Sequence, residues 1–587
     1  VTRDAPRTAL AARASSRVVD SPAPAPPLPR LPRSTAAIHL ETVDVAIGPP
    51  VVKGSAGVSK VRSPNDPRQV SAFPTLPTAA PKGRAFDVRD LFSGPASPAE
   101  VPTDVGAAPL SEKMRQAYFW IVNHAIITPY YDVEFNTTAP PSFHFGGVGT
   151  DLRLPTAQSY SSFVLLPLLT FAARKRCLFI GGPGRGKTAS AILMGILAGY
   201  PLGEVKRAIQ HGQPQMTIAD LLGNPLPKDL IEASSMEGIR IAWRKWLGMR
   251  VKIVDEYNRI PTRTQSALLT LLADGYAEIL DQTMESPESA WFLTANDDMG
   301  GGTYQVIEAL KDRIDIVVKA LNFNPRFLSE LLMRVEERVR PETIVPREIV
   351  FTEQELDRVY QEILATPVPR AVRRRLEFFA SQFDFCDLAS QEIEYKTKDT
   401  IRIAGKTLAS VCANDCGRDK VKCLCSQTEN GLSVRSLTTL LSFVKTLAWF
   451  RGSAEVTLED VRQLVPWVLH EKLVQNPSSP FFDQADATVF RVDRVAWLKR
   501  AFDLAMQEYA RLDLDHADPV VELDDAFDRG LDGVPEADVR KQMNLIEGHL
   551  AQLAKGTKLY AHVQNDVLKL KYYHQRYSNY LRWLTWK

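Results

Sequence analysis

Eight consecutive residues, Gly181-Gly182-Pro183-Gly184-Arg185-Gly186-Lys187-Thr188, constrain this chain more than any other stretch. They fit the pattern G-x-x-x-x-G-K-[ST], and both flanks suit a loop that cradles phosphate. Cys177-Leu178-Phe179-Ile180 in front is a short apolar strand, and Thr188 to Leu197 behind reads as a helix of small and apolar residues. Glycines let backbone N–H groups curl around phosphate oxygens where β-carbons would clash. The polarity of a helix N-terminus adds to that attraction. In such a loop Lys187 reaches the β- and γ-phosphates of ATP and Thr188 ligates Mg²⁺. Gly181, Gly182, Pro183, Gly184, Arg185, Gly186 and Ala189 complete the expected cradle.

A second element agrees with the first. Val251-Lys252-Ile253-Val254-Asp255-Glu256 is an apolar strand that ends in two acids. Delivering adjacent carboxylates to the edge of a buried strand is costly unless a cation waits there. Asp255 suits the Mg²⁺ shell and Glu256 suits a base that polarises the attacking water. Further on, Ala290-Trp291-Phe292-Leu293-Thr294-Ala295-Asn296 is another apolar strand ending in an amide. Asn296 is placed either to hold the lytic water or simply to end the strand as a turn former.

The rest of the chain is read around this site. At 587 residues it is too long for one core, so three or four units are expected. Residues 1–108 are rich in Pro, Ala, Ser and Arg and lack the apolar content to offset ordering entropy, so a disordered tail is predicted. Residues 109–322 alternate short apolar strands with amphipathic helices, the pattern of an α/β domain with a mainly parallel sheet between helices. Residues 323–478 read as helical, with a cysteine-rich insert at about 386–430, and residues 479–587 as a further helical C-terminal domain. The net charge of +2 demands neither a nucleic-acid nor a membrane partner. The longest apolar stretch, Phe163 to Ala173, is broken by Pro167 and falls short of the ~18 residues a membrane span needs; it reads as a buried helix leading into a strand. No secretory pattern is present, and the prolines of Ser21 to Pro32 would spoil a targeting helix, so the cytoplasm is expected.

At these residues the sequence resembles AAA+ ATPases, and within them the MoxR family. The distinguishing stretch is Asp255-Glu256-Tyr257-Asn258-Arg259-Ile260-Pro261 followed by Thr264-Gln265-Ser266-Ala267-Leu268-Leu269, which is similar to the family's D-E-x-N-R signature and its T-Q-x-A-L-L continuation. Tyr257 and Ile260 depart from the commoner Ile and Ala. Ile209 through Gly223 resembles the family's insert around the second helix, and a hairpin that projects toward the ring pore is expected between Ala277 and Ala290. Glu308 to Ile314 resembles the arginine-finger segment, which makes Arg313 the finger. Leu432 to Leu437 resembles the start of the sensor-2 helix, which gives Arg435 a role at the nucleotide, and Val456 to Val461 a Thr-capped lid helix. The resemblance implies an AAA+ core with a helical lid, assembled as a homo-hexameric ring. It further implies a protein client, often one containing a von Willebrand factor A domain, that ATP hydrolysis remodels or activates. A nucleic-acid motor of a restriction or translocation system is the alternative, and a slow nucleotide switch a third.

Two features lie outside that resemblance. Cys412, Cys416, Cys423 and Cys425 fall within fourteen residues. In a cytosolic chain such a group suits a structural Zn²⁺ site, with an iron–sulfur cluster or free or disulfide-forming thiols as the other readings. Cys177 and Cys386 read as core. The last thirty-odd residues interleave Lys and Arg with Tyr and Trp, which suits single-stranded nucleic acid, or an amphipathic helix pair whose aromatics pack inward or dock a protein; packing or protein docking is the favoured reading.

Overall fold

The computed structural model describes residues 109–125, 132–135, 141–147, 151–154, 158–233, 235, 238–296, 313–320, 328–338, 340–412, 416–516, 518, 520–556 and 558–586. The expected disordered tail at 1–108 lies outside these residues.

Five strands form the central sheet: β1 (Arg176–Ile180), β2 (Gln210–His211), β3 (Val251–Asp255), β4 (Ala290–Ala295) and β5 (Ile316–Lys319). Their order is β5-β1-β4-β3-β2 and every pairing is parallel. All six residues of β4 and the first four of β3 are buried. Strands buried on both faces show apolar runs rather than alternation, which is why these segments read so clearly in the sequence.

Four helices of this domain are α1 (Leu110–His124), α2 (Ser162–Ala173), α3 (Lys187–Leu197) and α4 (Thr262–Asp274); α2 and α3 pack on the sheet, and α1 packs on α2. Every residue of α2 is buried, Pro167 included, and the helix packs on β1, β4 and β5. It ends at Arg174, which turns left-handed with φ 53° before β1 begins.

Inserted around β2 and β3, the chain forms a capped helix at Ile218–Leu222 and a two-stranded pairing of Gly223–Pro225 with Ile241–Trp243. The expected hairpin is found as Tyr276–Ile279 paired with Gln282–Glu285, with Leu280 and Asp281 both at positive φ in its turn.

The lid is helical: α5 (Glu353–Ala365), α6 (Arg370–Asp384), α7 (Val434–Arg451), α8 (Leu458–Val468) and α9 (Arg494–Arg511). Thr457 caps α8 in a reciprocal box with Asp460, as the sequence predicted. A C-terminal hairpin follows, built from α10 (Val521–Asp528), α11 (Glu536–Gly556) and α12 (Ala561–Trp586), with its own small core of Leu523, Val539, Ile546, Leu570, Tyr573, Tyr577 and Tyr580. The buried Arg374 of α6 joins lid to hairpin, its guanidinium held by Asp566 at 2.7 and 2.9 Å and by Asp518 at 2.5 Å. Lys569 pairs with Asp524 and Glu377, and Lys571 with Glu394. Lys569 and Lys571 are therefore engaged with acids; Tyr573, Tyr577 and Tyr580 of the tail are buried in that core, while Tyr560, Tyr572 and Trp583 are exposed.

Lys252 sits inside β3, 1 % exposed, and its ammonium donates to Met249 O at 2.6 Å and Ser289 Oγ at 2.9 Å, with no carboxylate partner among the described residues. Burial drives its pKa down to about 7. The unfolded chain therefore binds the proton more tightly than the folded one, and the penalty is full below pH 7 and fades as pH rises toward the unfolded value. Wild-type stability is expected to rise between pH 7 and 10, by up to about 1.4 kcal/mol per unit. Lys252→Met should lose that rise in urea denaturation series, while its lost hydrogen bonds hold its stability at pH 7 near that of the wild type; an unchanged slope would refute the assignment.

Candidate nucleotide site

The parallel register brings the C-terminal ends of β1, β4 and β3 to one edge. Ala295 pairs with Ile180 and Leu293 with Val254, so the glycine loop, Asn296 and the two acids leave the sheet side by side. Gly181 has φ 154° and a β-carbon there would meet Ala320 O at 2.5 Å. Gly184 and Gly186 stand at φ 72° and 76°. A β-carbon on Gly184 would meet nothing within 4 Å, so the crest of the loop borders open space. Pro183, Gly184 and Ala189 are exposed, and Arg185 folds back to donate to Ala320 O at 2.9 Å.

Lys187 begins α3 and is 7 % exposed. Its ammonium donates to Gly181 O at 2.5 Å, Gly182 O at 2.8 Å and Asn296 Oδ1 at 2.9 Å. Asn296 turns its amide the other way and donates to Glu256 Oε1 at 2.9 Å. A cation and a carboxylate are thus linked through one neutral side chain. The next residue, Thr188, donates to Asp255 Oδ1 at 2.8 Å. Five of the residues singled out from sequence, Lys187, Thr188, Asp255, Glu256 and Asn296, share this network.

Four further residues support it, and sequence reasoning gave none of them a role. Thr294 Oγ1 donates to Asp255 Oδ1 at 2.6 Å and accepts from Glu256 N at 2.9 Å. Gly212 donates its N–H to Asp255 O at 2.7 Å, and a β-carbon there would lie 2.2 Å from Glu256 O. His211 Nδ1 stands 3.5 Å from Asp255 Oδ2, and Arg259 Nε stands 3.2 Å from Glu256 Oε2. Glu256 itself is left-handed, with φ 52°. Thr294 had a usable signal, a hydroxyl in an otherwise apolar strand. Gly212 had none until β2 and β3 were known to touch.

These donors fit Mg²⁺ and a polyphosphate. Thr188 Oγ1 and Asp255 Oδ1 are the hard oxygens such a cation prefers. Lys187 and the N-terminus of the eleven-residue α3 supply positive potential beside an open loop.

The other expected residues lie elsewhere. Arg313 precedes β5, and Asp315 N bonds to Arg176 O at the start of β1, the end of the sheet opposite the loop. Its Nε is buried without a hydrogen-bond partner among the described residues, while residues 308–312 of its segment lie outside them. Arg435 is exposed in the first turn of α7, one turn before Thr439, whose hydroxyl donates to Asp315 Oδ1 at 2.9 Å.

The zinc expectation is not supported. Among the described residues no group of three or more Cys, His, Asp or Glu is arranged to hold a metal ion. Cys412, Cys416, Cys423 and Cys425 are half-buried free thiols, and Cys386, expected in the core, is half-buried as well. The segment is fastened by other means. Arg418 stacks over Phe385 and Tyr560 with its guanidinium 3.7 Å from Cys425 Sγ, and Asn476 Nδ2, Trp497 Nε1 and Lys398 Nζ bond to Ser426 O, Gln427 Oε1 and Thr428 O.

With loop, paired acids, amide and lid in place, the fold is that of an AAA+ ATPase: a parallel sheet between helices, a helical lid and a helical C-terminal region. A family model described as the AAA lid domain matches residues 422–490, which include α7 and α8. A crystal structure from Cytophaga hutchinsonii, described as that of a proposed ATPase, is similar at 15 % identity and a TM-score of 0.41, covering 66 % of this chain and 94 % of its own. No curated protein matches the chain. No helix among the described residues is long and apolar enough to cross a membrane.

Thr294→Val keeps the shape of β4 but leaves Glu256 N–H without its acceptor and removes one of the two hydroxyls that donate to Asp255 Oδ1. Urea denaturation is expected to register a loss of about 1–3 kcal/mol, and Mg²⁺-dependent nucleotide affinity should fall with it. Unchanged stability and affinity would show that Thr294 does not brace the two acids.

Proposed function

We propose that this chain is a MoxR-like AAA+ ATPase that hydrolyses ATP within a ring, in which it is a homo-hexamer, and uses the cycle to remodel or activate a partner protein. One observation carries the ATPase reading: Lys187, Thr188, Asp255, Glu256 and Asn296, from the start of α3 and the ends of β3 and β4, meet in one hydrogen-bonded group beside an open glycine loop. The signature from Asp255 to Leu269 supports the narrower family, and through it a client of the von Willebrand factor A type.

Bound ATP with Mg²⁺ supplies the phosphoryl group and the charge that neutralises it. Gly181 to Gly186 present backbone N–H groups to the phosphates, with Pro183, Arg185 and Ala189 shaping the rim. Lys187 has its ammonium at the mouth of the loop, ready to exchange Asn296 for phosphate oxygen. Thr188 and Asp255 offer their oxygens to the cation. Glu256 orients water and accepts its proton, while Asn296, one hydrogen bond away, fixes where that water stands.

Arg313 has no such role in its own subunit. Four residue steps separate Cys177, level with Ile316, from Gly181, which at ~3.3 Å each is about 13 Å. The arginine precedes even that level, so the site it completes belongs to a neighbour, where its charge stabilises the transferring group. Arg435 on the lid then senses the nucleotide and passes its state to α7. A nucleic-acid motor receives less support, because the tail's Lys569 and Lys571 are paired with acids.

Three variants test this. Lys187→Ala should lose ATP binding, and normal affinity would sink the loop assignment. Glu256→Gln should bind ATP yet turn it over at least about 100-fold more slowly. Arg313→Ala should lose turnover and recover part of it when mixed with Glu256→Gln subunits; failure to recover would place the finger in cis or remove it. Capture from lysate on ATP-held Glu256→Gln, with Lys187→Ala as control, separates the client classes: a specifically retained protein supports remodelling, and retained nucleic acid supports the motor.

A further inference from the structure

The carboxylate of Glu256 is restrained at both oxygens, and the two restraints differ in kind. Asn296 holds Oε1, but Asn296 also accepts from Lys187. Phosphate entering the loop competes for that ammonium, so this hold is one that nucleotide binding loosens. Arg259, with Nε 3.2 Å from Oε2, belongs to the same short turn as Glu256. The turn is closed by Arg259 N to Glu256 O at 2.9 Å and Ile260 N to Tyr257 O at 3.1 Å. It is nailed down by the buried Tyr257 and Ile260, and Gln265 Nε2 donates to Ile260 O at 2.8 Å. The backbone that carries Arg259 beside Glu256 is therefore held by contacts that do not involve the loop.

The backbone gives a reason for a second hold. Glu256 sits at φ 52°, a region a non-glycine residue keeps only when its surroundings impose it. Thr294 Oγ1 and the close approach of Gly212 impose it here, which aims the side chain but leaves its own rotation free. As a stabilising device the Glu256–Arg259 pair is weak, since the side chains are 35 % and 45 % exposed and lie three residues apart. Its consequence is orientation.

We infer that Arg259 is a positioning residue for the Glu256 base, holding Oε2 while Asn296 releases Oε1 to the attacking water. The inference rests on the ATPase reading above. It assigns Arg259 to the site of its own subunit, unlike Arg313. A planar fork with directed N–H donors does this better than a point charge on a flexible stem.

The test uses the full chain as wild type, Arg259→Ala and Arg259→Lys, with steady-state ATP hydrolysis, equilibrium binding of a fluorescent ATP analogue and thermal melts. Arg259→Ala is expected to lower kcat by about 10- to 100-fold while KM, analogue affinity and Tm stay close to wild type. Arg259→Lys should recover part of the loss. Mixing Arg259→Ala with Glu256→Gln subunits should restore nothing. An unchanged kcat, a loss of binding equal to the loss of turnover, or recovery on mixing would each overturn the inference, the last by moving Arg259 to the neighbour's site. A wild-type chain that binds ATP without turning it over would overturn the ATPase reading itself, and the inference with it.

Discussion

Everything at the candidate site depends on the parallel register of three strands. Because β1, β4 and β3 run the same way and end level, residues some 110 positions apart in sequence leave the sheet as neighbours. A slip of one residue would turn Asp255 or Thr294 to the opposite face and dissolve the group. The apolar runs of these strands fix the register by burial on both faces. The core thus positions the chemistry before any polar contact forms, and the hydrogen bonds from Thr294 and Gly212 refine what packing has already arranged.

The far edge of the same sheet has its own centre, Asp315. This residue is 2 % exposed, accepts from Arg176 N at 2.9 Å and from Thr439 Oγ1 at 2.9 Å, and lies 3.3 Å from the Arg176 guanidinium. A buried carboxylate with one oxygen on the sheet and the other on α7 is costly to disturb. It ties together the strand that leads to the glycine loop, the strand that follows Arg313 and the helix that carries Arg435. The lid is thus tied to this end of the sheet by a short polar bridge, alongside the packing of α7 on α2 and of α8 on β5.

What could be read in the sequence follows from how local each signal is. The α/β core, the helical lid, the hairpin after Ala277 and the Thr457 cap were legible because period, capping residues and turn residues sit within a few positions of one another. Lys187, Asp255, Glu256 and Asn296 could be singled out because each ends or begins an apolar element. Gly212 and Asp315 carry no such mark, and Arg259 stood out only as part of the D-E-x-N-R resemblance, with no role attached. Their roles arise from contacts between β2 and β3, within a 3-10 turn, and between β5 and α7. Four thiols close in sequence suggest a shared ligand shell, whereas the chain fastens that segment through Lys398 near the start of the insert and through Asn476 and Trp497 beyond it.

The resting site is also balanced in a way that bears on nucleotide affinity. The acceptors of Lys187 include two carbonyls of the loop that phosphate must enter. Binding cannot simply add contacts to that ammonium; it must replace bonds of similar strength, so the net gain comes from charge, where phosphate exceeds a neutral carbonyl. Asn296 meets Lys187 through Oδ1 and Glu256 through Nδ2, so the neutral amide links the two charges without adding one. A carboxylate at position 296 would compete with phosphate for Lys187 and repel Glu256, and an apolar residue would leave both charges without their link.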